Sequence, residues 1–150
     1  MDFEFDIIKQ HPRLGAELLQ QYESTREYAD IARGHHRWYD NSKGYPEEFD
    51  TSKSPYKTII DIVACADCMD AATDTVGRSY NHGKTVDDFL RELAEGSGTR
   101  YAPYLLELFG KEEVKEDIDY LLTSGRQNNY RNTYLVLKKV QEDAEQSAQR

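Results

Sequence analysis

Apolar residues recur along this chain with a helical period, and no stretch alternates in the two-residue rhythm of a half-buried strand. Residues 2–10 read as a short helix carrying Phe3, Phe5, Ile7 and Ile8, interrupted at His11-Pro12. Pro12 suits the first position of a second helix, where its missing N–H costs nothing, and Leu14, Leu18, Leu19 and Tyr22 mark the side expected to be buried. A third helix is expected over 24–37. In it Tyr28, Ile31, Ala32 and His35 fall at i, i+3, i+4 and i+7, so His35 should point inward with His36 beside it. The Asp, Asn, Ser, Gly and Pro content of 38–54 predicts a loop.

Pro55 opens the longest internal helix, expected over 55–74, with Ile60, Val63, Asp67 and Asp70 on one side. Ile59, Ile62 and Ala66 widen its apolar surface, so Asp67 is expected to face the core, where a carboxylate is costly unless paired or metal-bound. Residues 75–84 read as loop. Thr85 and Asp88 form a capping-box pattern ahead of the stripe Val86, Phe89, Leu90, Leu93 and Ala94, which Gly96 and Gly98 end. Pro103 starts a short helix stopped at Gly110. The tail 111–150 reads as two helices broken near Ser124-Gly125, the last carrying Tyr130, Tyr134, Leu137 and Val140. The fold class is all-α.

Length and composition narrow the function. At 150 residues the chain is long enough for one domain with a hydrophobic core. Its 28 acids against 19 bases give a net charge of −9, which argues against wrapping a nucleic-acid polymer. A small phosphorylated ligand needs only a local cation and stays compatible. No apolar run is long enough for a membrane span, the start Met1–Glu4 lacks the basic region of a signal peptide, and two cysteines make no disulfide framework. A cytoplasmic location is expected.

The chemistry centres on HHRWYDNSKGYP, residues 35–46. Adjacent histidines at a helix end, His11 at a helix junction and Asp67 in a core helix together make a reasonable ligand set for iron, manganese or zinc. The bland alternative is a hydrogen-bonded core histidine at His35, a turn-shaping His11 and an Asp67 paired with a base. Cys65 and Cys68 read as two small buried thiols rather than a redox or zinc motif. Asp70 and Asp74 read as a cap, a solvated face or supporting groups, and His82 carries no assignment.

The blocks FDIIKQHPRLGAELL (5–19), HHRWYDNSKGYP (35–46), ACADCMDAATD (64–74), GRSY (77–80) and GSGTRYAPYLLELF (96–109) resemble the C-terminal part of an HD-GYP domain, a branch of the HD phosphohydrolase superfamily. The resemblance covers about residues 3–110. It implies an HD-type helical bundle, incomplete at its N-terminal end, over 1–110, with 111–150 as extra C-terminal helices packed on the same domain. It implies metal-dependent hydrolysis of cyclic di-GMP by a metal-activated water. His11, His35, His36 and Asp67 match the metal ligands, and Gly44-Tyr45-Pro46 matches the name-giving loop. Arg78, Tyr45 and Lys43 are the implied substrate contacts, while Trp38, Tyr39 and Tyr45 could stack a guanine or simply pack the loop.

The family's His-Asp dyad, whose Asp bridges the metals, has no counterpart. The histidines are His11, His35, His36 and His82, and none is followed by Asp. A partial site for one iron or manganese ion is therefore expected, with phosphodiesterase activity impaired in this chain alone. The alternative is a non-catalytic nucleotide- or metal-binding or protein-interaction module. A homodimer, or a partner chain supplying the missing N-terminal helices, would cover the exposed face of such a part-bundle.

Overall fold

The computed structural model describes residues 2–75 and 83–148. Among them the chain is all-α. The helices are α1 Asp2–Ile8, α2 His11–Gln20, α3 Ala29–Gly34, α4 Lys57–Thr73, α5 Val86–Glu95, α6 Pro103–Phe109, α7 Glu112–Tyr120 and α8 Arg126–Ala148. Short 3-10 turns at Arg26–Tyr28 and Thr51–Lys53 complete them, and the only strand-like features among the described residues are isolated bridges, Arg37 to Gly44 and Ser97 to Tyr101. The chain divides into two compact units, residues 1–110 and 111–150.

In the first unit the helices pack in series, α2 on α3, α3 on α4, α4 on α5 and α5 on α6. Ile60, Cys65 and Met69 of α4, Phe89 and Leu93 of α5 and Leu105 of α6 are all buried and make up much of the core. Phe89 and Tyr101 pack edge to face with ring centroids 5.9 Å apart, a favoured aromatic geometry. The expected capping box forms: the Thr85 hydroxyl accepts from the Asp88 N–H and the Asp88 carboxylate from the Thr85 N–H. Gly34 permits the close approach of α3 to its neighbours, since a Cβ there would lie 2.9 Å from Phe49 and 3.0 Å from Ile60.

Several faces differ from the pattern reading. α4 buries Ile60, Asp61, Cys65, Met69 and Thr73, whereas Ile59 and Ile62 are about half exposed and Ala66 is exposed. Apolar residues surround the first turns of this helix, so periodicity could not choose its face. The buried carboxylate is Asp61, not Asp67; it pairs with Lys57 and accepts from the Tyr104 hydroxyl at 3.1 Å. Burial raises the Asp61 pKa against the opposing pull of Lys57. Asp74, expected as a cap, a solvated face or a supporting group, is the C-cap residue of α4 and is buried rather than solvated. Of the residues expected to be buried along the second helix, Leu14, Leu18 and Tyr22 are exposed and Leu19 is half-buried, while Pro12 and Ala16 are buried; Phe3, Phe5, Ile7 and Ile8 of α1 are exposed as well.

The third helix stops at Gly34, so His35 and His36 belong to the turn that follows rather than to its body, and Tyr28 is exposed. The second unit holds the two expected α-helices, α7 and α8, and their junction ends at Gly125 but is helical rather than a loop. A π-turn, Leu121–Gly125, joins α7 to α8 with helical backbone on both sides.

Candidate metal and phosphate site

The 35–46 loop is closed by its own backbone. Arg37 and Gly44 form the bridge, the Tyr45 N–H donates to the His36 carbonyl at 3.2 Å, and the Trp38 N–H donates to the Lys43 carbonyl at 3.1 Å. The buried Arg37 guanidinium donates inward to the Gly44 and Asn41 carbonyls. Asn41 holds a left-handed backbone with φ 59°, a conformation Asn tolerates, and its side-chain oxygen accepts from the Thr51 N–H and hydroxyl. Gly44 has φ 87°, and a Cβ there would fall 2.0 Å from the His36 carbonyl oxygen, so this position demands glycine. The Tyr45-Pro46 peptide is cis.

The loop and the start of α2 bring three imidazoles together. His11 Nε2 lies 3.0 Å from His35 Nε2 and 3.1 Å from His36 Nε2. Each ring offers one nitrogen such that all three lie within 4.8 Å of one another. Two of the tautomers are set locally: His11 Nδ1 donates to the Ile8 carbonyl and His35 Nδ1 to the Ala32 carbonyl, both at 2.7 Å. In the neutral rings this leaves the Nε2 lone pairs of His11 and His35 facing each other. Bare lone pairs at that separation repel, and a shared cation relieves them. The spacings of His11 to His35 and to His36 suit adjacent ligands about 2.1 Å from a common ion. The carbonyl partners are the outer-shell support that metal-binding histidines ordinarily have.

Burial lowers the His35 pKa, and burial together with the neighbouring His35 and His11 rings lowers that of His36 to about 4, against the pull of Asp67. His35 and His36 are therefore neutral near pH 7, the form that ligates. Asp67 stands at the edge of the cluster, not in the core as the pattern predicts, with its side chain 45% exposed and Oδ2 3.8 Å from His36 Nδ1. Tyr45 stacks on His36 with centroids 4.6 Å apart.

An open cavity of about 670 Å³ carries His11, His36, Tyr45 and Asp67 in its wall, together with Phe5, Ile8, Lys84, Glu92 and Arg100. Its size suits a ligand of drug or nucleotide dimensions. Glu92 joins the two cations: it pairs with Lys84 and accepts from Arg100 at 2.6 Å. Burial would raise the Glu92 pKa, but Lys84 and Arg100 outweigh it and the net shift is downward. Arg100 also donates to Cys68 Sγ at 3.3 Å. Of the two thiols, Cys65 is buried and its pKa is pushed up to about 12 by that burial, while Cys68 is half-buried and lines the cavity.

Three of the four predicted ligands thus converge, and the fourth flanks them. Tyr45 reaches the cavity. Lys43 sits over the Trp38 ring, 4.9 Å from its centroid. Arg78, with GRSY and His82, lies outside the described residues. Pattern reading misses Lys84, Glu92 and Arg100, because each is an ordinary surface residue until α5 and the loop before α6 bring them together. A carboxylate one position before the buried Leu93 is the one available signal.

Fold and site together define a helical domain with a histidine-lined, cation-bearing cavity. No protein-family model matches the chain. It is similar to a cyclic di-GMP phosphodiesterase of Thermotoga maritima, 36% identical over 112 residues, 73% of this chain and 29% of that protein. A protein of the same name from Vibrio cholerae is 31% identical over 76% of this chain and 24% of its own length. A cyclic di-GMP phosphodiesterase response regulator of Xanthomonas campestris is 33% identical over 75% of this chain and 30% of its own length. These similarities support an HD-GYP-like domain. The chain spans less than a third of the length of these curated relatives.

Proposed function

We propose that this chain is an HD-GYP-like, metal-dependent cyclic di-GMP phosphodiesterase module. The observation that carries the reading is the clustering of His11, His35 and His36, two of which, His11 and His36, line a cavity that also presents Lys84 and Arg100. His11, His35 and His36, with Asp67 beside them, hold one divalent iron or manganese ion. That ion, when bound, supplies Lewis-acid charge and activates a water for attack on the phosphodiester phosphorus. The carbonyls of Ile8 and Ala32 keep the His11 and His35 rings in the ligating tautomer. Arg100, steadied by Glu92, faces the anionic ligand with charge, while Tyr45 and Phe5 offer rings in the cavity wall. Arg78 remains a further candidate phosphate contact by resemblance.

Turnover by this chain alone is low in this account, because no His-Asp pair exists in the sequence to bridge a second ion. The outward apolar face of α1 and α2 favours completion by further helices, from a partner chain or another copy. The missing dyad also favours a second reading, a binding module that retains ligand without cleaving it. Incubation with cyclic di-GMP and added manganese separates the two. Hydrolysis supports the phosphodiesterase, saturable binding without product supports the module, and neither removes the nucleotide assignment.

A further inference from the structure

We propose that α8 is a self-recognition helix, along which two copies of this chain pair antiparallel. The inference is independent of the phosphodiesterase reading. Tyr130, Tyr134, Leu137, Gln141 and Ala144 follow one another at steps of four, three, four and three residues, the spacing of a coiled-coil seam. Tyr130, Tyr134 and Leu137 are between 44% and 63% exposed. A shallow groove of about 380 Å³ runs along the same face, walled by Tyr134, Leu137, Lys138, Gln141, Glu142 and Glu145. An apolar seam on an exposed helix leaves unmet the tertiary packing from which most helical stability comes.

Charge selects both the occupant and the direction. Residues 126–139 carry four bases, Arg126, Arg131, Lys138 and Lys139, and no acid, whereas 140–148 carry three acids, Glu142, Asp143 and Glu145, and no base. A parallel pair would align like with like. An antiparallel pair sets each basic segment against the partner's acidic one. In the register that puts Leu137 against the partner's Gln141, Tyr134 falls against the partner's Ala144, so a large ring meets a methyl and the seam fills without collision. The same register brings Arg131 beside the partner's Glu145, twice by symmetry. Gln141, the one polar side chain in this stretch of the seam, fixes the register at some cost in stability. Lys138 meets its own copy at the two-fold axis, where Glu142, 3.8 Å away on the same helix, offsets the repulsion.

Sedimentation equilibrium on the full chain tests this with Arg131→Glu, Glu145→Arg and their equimolar mixture. Arg131 and Glu145 flank the seam and are exposed in the single chain, so neither substitution disturbs a buried contact within it. The wild type should form dimers in the micromolar range. Each single variant should self-associate about tenfold more weakly, because two attractions become two repulsions. The mixture should recover wild-type association, since a pair made of one copy of each variant again sets opposite charges against each other at both contacts. A monomeric wild type overturns the proposal. So do variants that dimerise unchanged, which would move the interface elsewhere, and a mixture that stays as weak as its components, which would exclude the antiparallel register.

Discussion

His11 and His35 each spend Nδ1 on a carbonyl, and that choice decides what their other nitrogen can do. Around them the fold holds its buried imidazoles neutral, and a pH dependence follows. A group whose folded pKa lies below its unfolded value binds fewer protons folded than unfolded, so stability rises with pH across the interval between them. For His36 that interval runs from about 4 to the ordinary value of 6.5, with His35 shifted in the same direction. In urea titrations the metal-free protein should lose stability as pH falls through this window, and His36→Gln should flatten the slope. An unchanged slope would mean that the ring is not held neutral by the fold. Gly44 makes a second residue-scale prediction. With φ 87° and no room for a Cβ, Gly44→Ala should cost about 1–3 kcal/mol in the same titration and weaken metal binding by displacing the His36 carbonyl. A neutral result would show that the loop relaxes freely.

Helices are largely legible in the sequence as elements, and their faces are less so. The Thr85–Asp88 cap and the stripe after it locate α5 because a strong start signal and a narrow apolar face agree. Thr85→Ala should lower stability by about 1 kcal/mol and Phe89→Ala by about 3–5 kcal/mol, both read by thermal or urea unfolding. An effect of Phe89→Ala below about 1 kcal/mol would contradict its place in the core. By contrast α4 offers apolar groups all round its first turns, so the pattern points Asp67 inward when the buried carboxylate is Asp61, held by Lys57 and Tyr104. The α1–α2 stripe is a real stripe, but its large side chains face solvent. Periodicity reports that a face is apolar and not what covers it. The junction expected near Gly125 is a π-turn between α7 and α8, which takes up one extra residue per turn while the backbone stays helical.

At the scale of the whole chain, the three histidines are legible because ligand chemistry clusters in a few residue types. The Lys84–Glu92–Arg100 arrangement is not, because it exists only after the helices pack. Against a net charge of −9, the cavity wall balances Lys84 and Arg100 with Asp67 and Glu92, a local setting less acidic than the chain as a whole. No helix among the described residues is long and apolar enough to cross a membrane.

The most direct measurement is a manganese or iron titration of chelator-stripped protein, wild type beside His36→Ala, read by calorimetry and by metal content after dialysis. The account predicts one equivalent bound by the wild type, and a loss of affinity of more than about a hundredfold in the variant. A wild-type protein that holds no metal after reconstitution, or a variant that binds as tightly as its parent, would contradict it.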